Sequence, residues 1–378
     1  MVSKLPHIGT TIFTTMSALA NEYKALNLSQ GFPDFPCSEK LIGLVTKYMK
    51  EGWNQYAPMP GSMILREKIA EKTQELYNAY YNPATEITVT CGATEACFTT
   101  MATLIGKDDE VIIFEPSFDV YAPVIELFGG KPVYVEMEFP EFKINWTKAK
   151  EKITNKTKLI IINSPHNPTG SVINDQDFDQ LSKLVQGTDI YILSDEVYEH
   201  IIFDNISHAS ILKRPDLRDR TLVVSSFGKT FHTTGWRMGY CLAPEPISRE
   251  FRKIHQYNTF SAPTPMQMAV AEFLNDKDQY LQLPDFYQKK RDLFLECVKH
   301  SRFQPIPSKG TFFQLLSYKN ISDEKDVDFA IRLTKEFKIV SIPVSVFYHT
   351  QKDNKVLRFC FAKESETLHK AGEILCKI

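Results

Sequence analysis

Between about residues 60 and 280 the chain repeats one pattern: a short, unbroken apolar run followed by a helical stretch. The runs are "EITVT", "EVIIF", "KPVYVEM", "KLIIIN", "DIYILSD" and "RTLVVSS". Between them lie "TEACFTTMATLI", "SFDVYAPVIELFG", residues 147–153 and "DFDQLSKLV". A strand that is apolar at every position is buried on both faces. A mostly parallel sheet covered by helices on both sides provides that burial. The pattern therefore predicts an α/β chain, and in such sheets ligands bind at the carboxyl ends of the strands.

The rhythm changes after "LPDFYQKKRDLFLECVKH". There "KGTFFQLLSY", "FKIVSIPVSVFY" and "KVLRFCFAK" read as antiparallel strands, with one helix between the first two and another closing the chain. The expected division is a large domain over 46–280 and a smaller α+β domain built from 1–45 and 281–378. A length of 378 residues suits two such domains, and 43% hydrophobic content supplies their cores. The formal net charge of −2 gives no basic surplus for nucleic acid. No run approaches the roughly 18 apolar residues of a membrane helix, and the N-terminus has no apolar core of signal-peptide length. Seven scattered cysteines without a C-x-x-C pair read as reduced thiols in a cytoplasmic protein. No metal-ligand spacing appears, since "EVYEH" has Glu where an inverted zincin motif needs its first histidine.

The stretch "SSFGKTFHTTGWRMGY" follows a buried run and presents Lys229. Three chemistries compete for this lysine. A phosphate loop needs a glycine five positions before Gly228, where Val223 stands, and no G-x-G-x-x-G occurs elsewhere. Ser226 and Lys229 match the S-x-x-K of serine acyl-enzymes, but the S-D-N and K-T-G elements are missing. The third use is to hold the aldehyde of pyridoxal 5′-phosphate as an imine. That chemistry asks for an acid at the pyridine nitrogen, donors to the ring hydroxyl and a clamp for the phosphate. The strand ends supply candidates. Asp195 and Tyr198 lie in "LSDEVYEH", Asn167 in "SPHNPTG", and Gly92, Ala93 and Thr94 at the turn of "TCGATEA".

With "SQGFPDFP", "NQYAPMPG", "EPSFDVYAP" and "LRFCFAK" in the same order, these segments make the chain resemble the fold-type I, class I aminotransferases nearly end to end. It is most similar to the methionine and kynurenine–glutamine subgroup. The resemblance implies a large domain with a mostly parallel seven-stranded sheet, pyridoxal 5′-phosphate as cofactor, and a homodimer with shared sites. It implies transfer of the amino group of a large neutral amino acid to a 2-oxo acid. The same fold also supports C–S β-elimination from cysteine conjugates. By the resemblance Lys229 is the imine former and proton shuttle, and Asp195 pairs with the ring nitrogen. Tyr198 and Asn167 bond the ring hydroxyl, and Phe118 stacks on the ring. Ser226, Arg237, Gly92, Ala93 and Thr94 hold the phosphate, joined by Tyr56 from the neighbouring subunit. Arg358 grips the substrate carboxylate, with Gly31 and Asn167 close by. Phe13, Tyr56 and Phe260 of the partner subunit line the side-chain pocket. His232 and His166 are read as neighbours of the site, and "TTMSALANEYK" as a mobile segment above it.

Overall fold

In the computed structural model of the protein, which describes residues 2–378, the chain opens with helix α1 (Ile12–Tyr23), strand β1 (Leu26–Asn27) and helices α2 (Glu39–Lys50) and α3 (Met63–Tyr77). The expected βα rhythm follows: β2 (Ile87–Thr90), α4 (Ala93–Leu104), β3 (Glu110–Glu115), α5 (Tyr121–Leu127), β4 (Lys131–Glu136), α6 (Trp146–Glu151), β5 (Thr157–Asn163), α7 (Asp175–Val185), β6 (Tyr191–Asp195) and β7 (Thr221–Ser226). Helix α8 (Phe227–Thr230) and strand β8 (Gly239–Leu242) come next, then helices α9 (Glu245–Asn258), α10 (Thr264–Phe273), α11 (Asp278–Leu281) and α12 (Leu283–Val298).

The central sheet runs β2-β8-β7-β6-β5-β3-β4. Six strands are the six apolar runs. The seventh, β8, pairs antiparallel with both β2 and β7, and all the other pairings are parallel. Side chains alternate across the sheet with period two. Ile113, Ile161, Leu193 and Val224 face a layer containing Met101, Ile125 and Phe251. Ile112, Ile160, Ile192 and Val223 face the opposite layer with Ile69, Phe178 and Leu181. Both faces are dry along the inner strands, which is why those runs carry no polar alternation, whereas β4 at the edge is mostly half-buried. Helix α7 starts where Asn174 accepts bonds from the N–H groups of Gln176 and Asp177 while the Asp177 carboxylate accepts from the Asn174 N–H.

The C-terminal part holds β9 (Gln304–Ile306), β10 (Phe313–Ser317), α13 (Asp326–Arg332), β11 (Ile339–Val340), β12 (Ile342–Pro343), β13 (Val356–Cys360) and α14 (Ser365–Leu375). Its sheet, β12-β13-β10-β9, is antiparallel, with β12 at an edge. "FKIVSIPVSVFY" is not one antiparallel strand. It splits into β11, which pairs in parallel with β1, and β12, which pairs with β13. Pro343 has no N–H to give a ladder, and it sits on the edge where none is needed. The segment read as mobile is helix α1, with Met16 and Ala20 buried. Loops of this part lie over the strand ends of the central sheet. The N–H of Ser117 donates to Phe347 O at 2.9 Å, and Glu115 accepts from the N–H of His349 at 2.9 Å.

Candidate active site

Three neighbouring strand ends converge: Asn163 on β5, Asp195 on β6 and Ser226 on β7, the last leading directly into α8 with Lys229. The Lys229 amine donates to Gly31 O at 3.1 Å and stands 5.6 Å from the Tyr198 ring and 5.3 Å from the Phe312 ring. Burial lowers its pKa to about 8, assisted by the positive charges of Arg358 and Arg237 and opposed by Asp195. Among the described residues Ser226 and Lys229 do not share the hydrogen bond of a serine–lysine acyl-enzyme; the amine bonds Gly31 O.

Asp195 is 4% exposed. Burial pushes its pKa up to about 6, against a 2.6 Å hydrogen bond donated by the Tyr121 hydroxyl to Oδ2. Its backbone oxygen accepts from Asn163 Nδ2 at 2.8 Å, and Asn163 Oδ1 accepts from the N–H of Asn167 at 2.8 Å. Asn163 thus ties the Asp195 strand end to the Asn167 turn. The Tyr198 hydroxyl makes no hydrogen bond within the protein among the described residues, and burial holds its pKa high. The ring of Phe118 lies edge-on to Tyr121, 5.6 Å between centroids.

On the other side of Lys229, helix α4 begins at Ala93 with no side-chain cap, leaving the N–H groups of Ala93 and Thr94 free at its positive end. Gly92 precedes them at φ +81, and a Cβ there would lie 2.7 Å from an Arg237 nitrogen. Only glycine combines that conformation with such an approach. Among the described residues Arg237 makes no ion pair, and its one protein bond goes to Thr234 O at 3.0 Å. A free guanidinium, an uncapped helix start and the Ser226 end of β7 therefore share one corner of the site.

Arg358, on β13, is 1% exposed and meets no carboxylate among the described residues. It donates to Asn167 Oδ1 at 2.7 Å and to Ser29 O at 3.2 Å, while its Nε–H has no partner. Burial lowers its pKa to about 10. Three rings surround it, Phe313 at 3.9 Å, Phe347 at 5.3 Å and Phe13 at 5.4 Å. Gly31 belongs to the same corner, since a Cβ on it would lie 2.8 Å from Phe313 Cζ.

Tyr56 and Phe260 are not brought to Lys229 within the chain. They pack edge to face at 5.3 Å, with Tyr56 85% and Phe260 40% exposed. His232 packs among Phe35, Phe286 and Tyr287, and His166 bonds Thr169. Sequence reasoning passed over Tyr121, Asn163, Phe313 and Phe347. The asparagine ending an apolar run in "IIIN" was a legible signal. The three aromatics look like ordinary core residues.

A buried lysine of lowered pKa, a buried aspartate and an uncapped helix start at the strand ends of this seven-stranded sheet accompany the fold of the type I transferases. The chain belongs to the family described as aminotransferase class I and II, whose model matches residues 23–375, and it is a transaminase. It is 47% identical over 374 residues to methionine aminotransferase of Escherichia coli, covering 99% of this chain and 97% of that one. It is 34% identical to kynurenine–oxoglutarate transaminase of Dictyostelium discoideum, over 98% of this chain and 94% of that one. The crystal structure of an Escherichia coli protein with an identified methionine aminotransferase function superposes with a TM-score of 0.98 at 47% identity, covering 100% and 99% of the two chains.

Proposed function

We propose that the protein uses pyridoxal 5′-phosphate to move the amino group of a large neutral amino acid to a 2-oxo acid in a ping-pong cycle. Methionine and the aromatic amino acids head the donor class, with glutamine and kynurenine within it. The observation that carries the substrate side is Arg358, a buried cation without a carboxylate, with an unpartnered Nε–H and three phenylalanine rings around it. A buried charge of this kind is costly until an anion meets it. An α-carboxylate supplies that anion, and the rings favour an apolar side chain beyond it. No second arginine is placed for a side-chain carboxylate.

The donor set fits the cofactor. Arg237, Ser226 and the free N–H groups of Ala93 and Thr94 suit a phosphate. Asp195 suits a protonated ring nitrogen, Tyr198 and Asn167 a ring hydroxyl, and Phe118 a ring face. When bound, pyridoxal 5′-phosphate supplies an aldehyde that captures an amine and a protonated ring that takes up the electron pair released at Cα. The chain does the rest. Lys229 Nζ, lowered to about 8, is in part unprotonated near neutral pH and is the base that lifts the proton from substrate Cα. Arg358 and Asn167 fix the carboxylate and so orient the Cα–H bond toward that amine. Phe13, Phe313 and Phe347 exclude water around the substrate.

Two copies complete the sites in this reading. Tyr56 and Phe260, paired and projecting from the surface, reach the second subunit of a homodimer. Residues 46–280 form the cofactor-binding part, with 1–45 and 281–378 as the smaller part. Seven cysteines without a disulfide among the described residues agree with a cytoplasmic setting. No helix among the described residues is long and apolar enough to cross a membrane.

The test is a panel of single amino acids added to cofactor-loaded protein without acceptor, followed by the visible spectrum. Methionine, phenylalanine and tyrosine are expected to convert the cofactor fastest, and a 2-oxo acid to restore it. Fastest conversion by aspartate would overturn the substrate assignment.

A further inference from the structure

The two oxygens of Asp195 are not equivalent. Oδ2 accepts the Tyr121 hydroxyl bond at 2.6 Å, and the Cys97 thiol lies 4.0 Å from the same atom. Oδ1 accepts from the N–H of Val197 at 3.3 Å. The titratable groups facing this carboxylate are Tyr121 from α5, Cys97 from α4, Lys229 from α8, and Glu196 and Tyr198 from its own loop. Among the described residues, Tyr121 alone gives it a close side-chain hydrogen bond.

Tyr121 also has a second contact surface. It lines a cavity of about 520 Å³ whose walls include Phe142, Lys143, Asn174 and Lys309. Asp195 does not reach that cavity. Tyr121 therefore touches both a solvent-accessible hollow and the buried Asp195 carboxylate.

Resting on the assignment of Asp195 to the cofactor's ring nitrogen, we infer that Tyr121 is the positioning residue for Asp195. Its hydroxyl engages Oδ2, so that Oδ1 is left for the ring nitrogen, and its ring keeps cavity water off the carboxylate. The two roles have opposite electrostatic signs. The hydroxyl donates to the charged form and favours it, whereas exclusion of water disfavours it. Removing the hydroxyl raises the pH at which Asp195 ionises. Removing the whole ring lowers it, because water enters from the cavity.

The experiment uses cofactor-free protein and pyridoxine 5′-phosphate, which carries the ring and phosphate but no aldehyde for Lys229. Its affinity is measured by titration calorimetry from pH 5 to 8.5. In the unmodified protein affinity is expected to fall as Asp195 protonates, with its carboxyl raised to about 6 by burial. In Tyr121→Phe the fall is expected about one to two pH units higher, the shift for losing one hydrogen bond to a charged group. In Tyr121→Ala it moves below that of the unmodified protein, and in Cys97→Ala it stays in place. Asp195→Ala keeps only the change due to the ligand's own phosphate, which ionises at about pH 6, and serves as the baseline for the other profiles. A Tyr121→Phe profile that overlays the unmodified one, while both differ from Asp195→Ala, overturns the role of Tyr121. An unmodified profile that matches Asp195→Ala overturns the assignment of Asp195 instead, and the inference with it. A tyrosine that serves packing alone would change thermal stability and leave every midpoint where it was.

Discussion

Replacing Arg358 with methionine separates binding from folding. The guanidinium is 1% exposed and lies among Phe313, Phe347 and Phe13 without a counter-charge. A pKa drawn down from 12.5 to about 10 corresponds to a penalty of about 3 kcal/mol on the charged form at neutral pH. Its bonds to Asn167 and Ser29, made by a charged donor, return about 1.5 kcal/mol each and so roughly offset that penalty. A methionine of similar length keeps the ring contacts and removes the charge. The cofactor-free variant is therefore expected to melt within about 2 °C of the unmodified protein. Function moves the other way. Loss of a charged, forked grip on a desolvated carboxylate costs about 3–5 kcal/mol, or ~10²–10⁴-fold in kcat/KM for methionine. Scanning calorimetry and steady-state kinetics on the same preparation read both numbers. A third reading is 3-phenylpropionate, a carboxylate with an apolar tail, which should raise the melting temperature of the unmodified protein and not of Arg358→Met. A melting temperature lowered by more than about 5 °C, with kcat/KM within threefold, would show a structural arginine and refute the reasoning.

Asp195→Asn should stabilise the cofactor-free protein in a pH-dependent way. A carboxyl raised from 3.8 to about 6 weakens the fold progressively as pH rises through that window, and fully above it. Urea unfolding should show an advantage of about 2–3 kcal/mol for the variant at pH 8 and almost none at pH 4; equal gaps at the two pH values contradict the buried charge. Gly31→Ala places a Cβ 2.8 Å from Phe313 Cζ and displaces the ring nearest Arg358, so KM for methionine should rise about tenfold or more with a smaller effect on kcat. Tyr56→Ala and Lys229→Ala should each be poorly active alone, yet regain activity when mixed and allowed to exchange subunits, because one hybrid site then has both residues. Mixtures no more active than their separate parts would argue against Tyr56 crossing to a second subunit.

What the sequence disclosed follows burial and local pattern. The inner runs were legible because both faces of the sheet are dry there, so β3, β5 and β6 read as nearly continuous apolar residues, and the edge run of β4 was legible from its Val133-Tyr134-Val135 centre. Strand β8 was not, since four residues that begin with Gly239 and run up to a proline-bearing helix start carry too little pattern, and only pairing with β2 and β7 makes them a strand. Arg358 stood out because a cation between apolar neighbours has no cheap structural explanation. Tyr121 did not, because a tyrosine at a helix start beside apolar residues reads as core, and its 2.6 Å bond joins residues 74 positions apart. The split of "FKIVSIPVSVFY" depended on β1 arriving from the far end of the chain to pair with β11. Tyr56 and Phe260 illustrate a different limit. Their proposed partners lie on a second copy, so one chain gives only their exposure and their mutual contact.

The central claim is that Lys229 carries the cofactor. Cofactor-loaded protein is treated with borohydride, digested, and mapped by mass spectrometry for a stable pyridoxyl-phosphate adduct. The account predicts the adduct on the peptide containing Lys229, with its loss in Lys229→Ala and its retention in Ser226→Ala at reduced loading. An adduct on another lysine, or unlabelled protein that is acylated at Ser226 by a β-lactam, would contradict it.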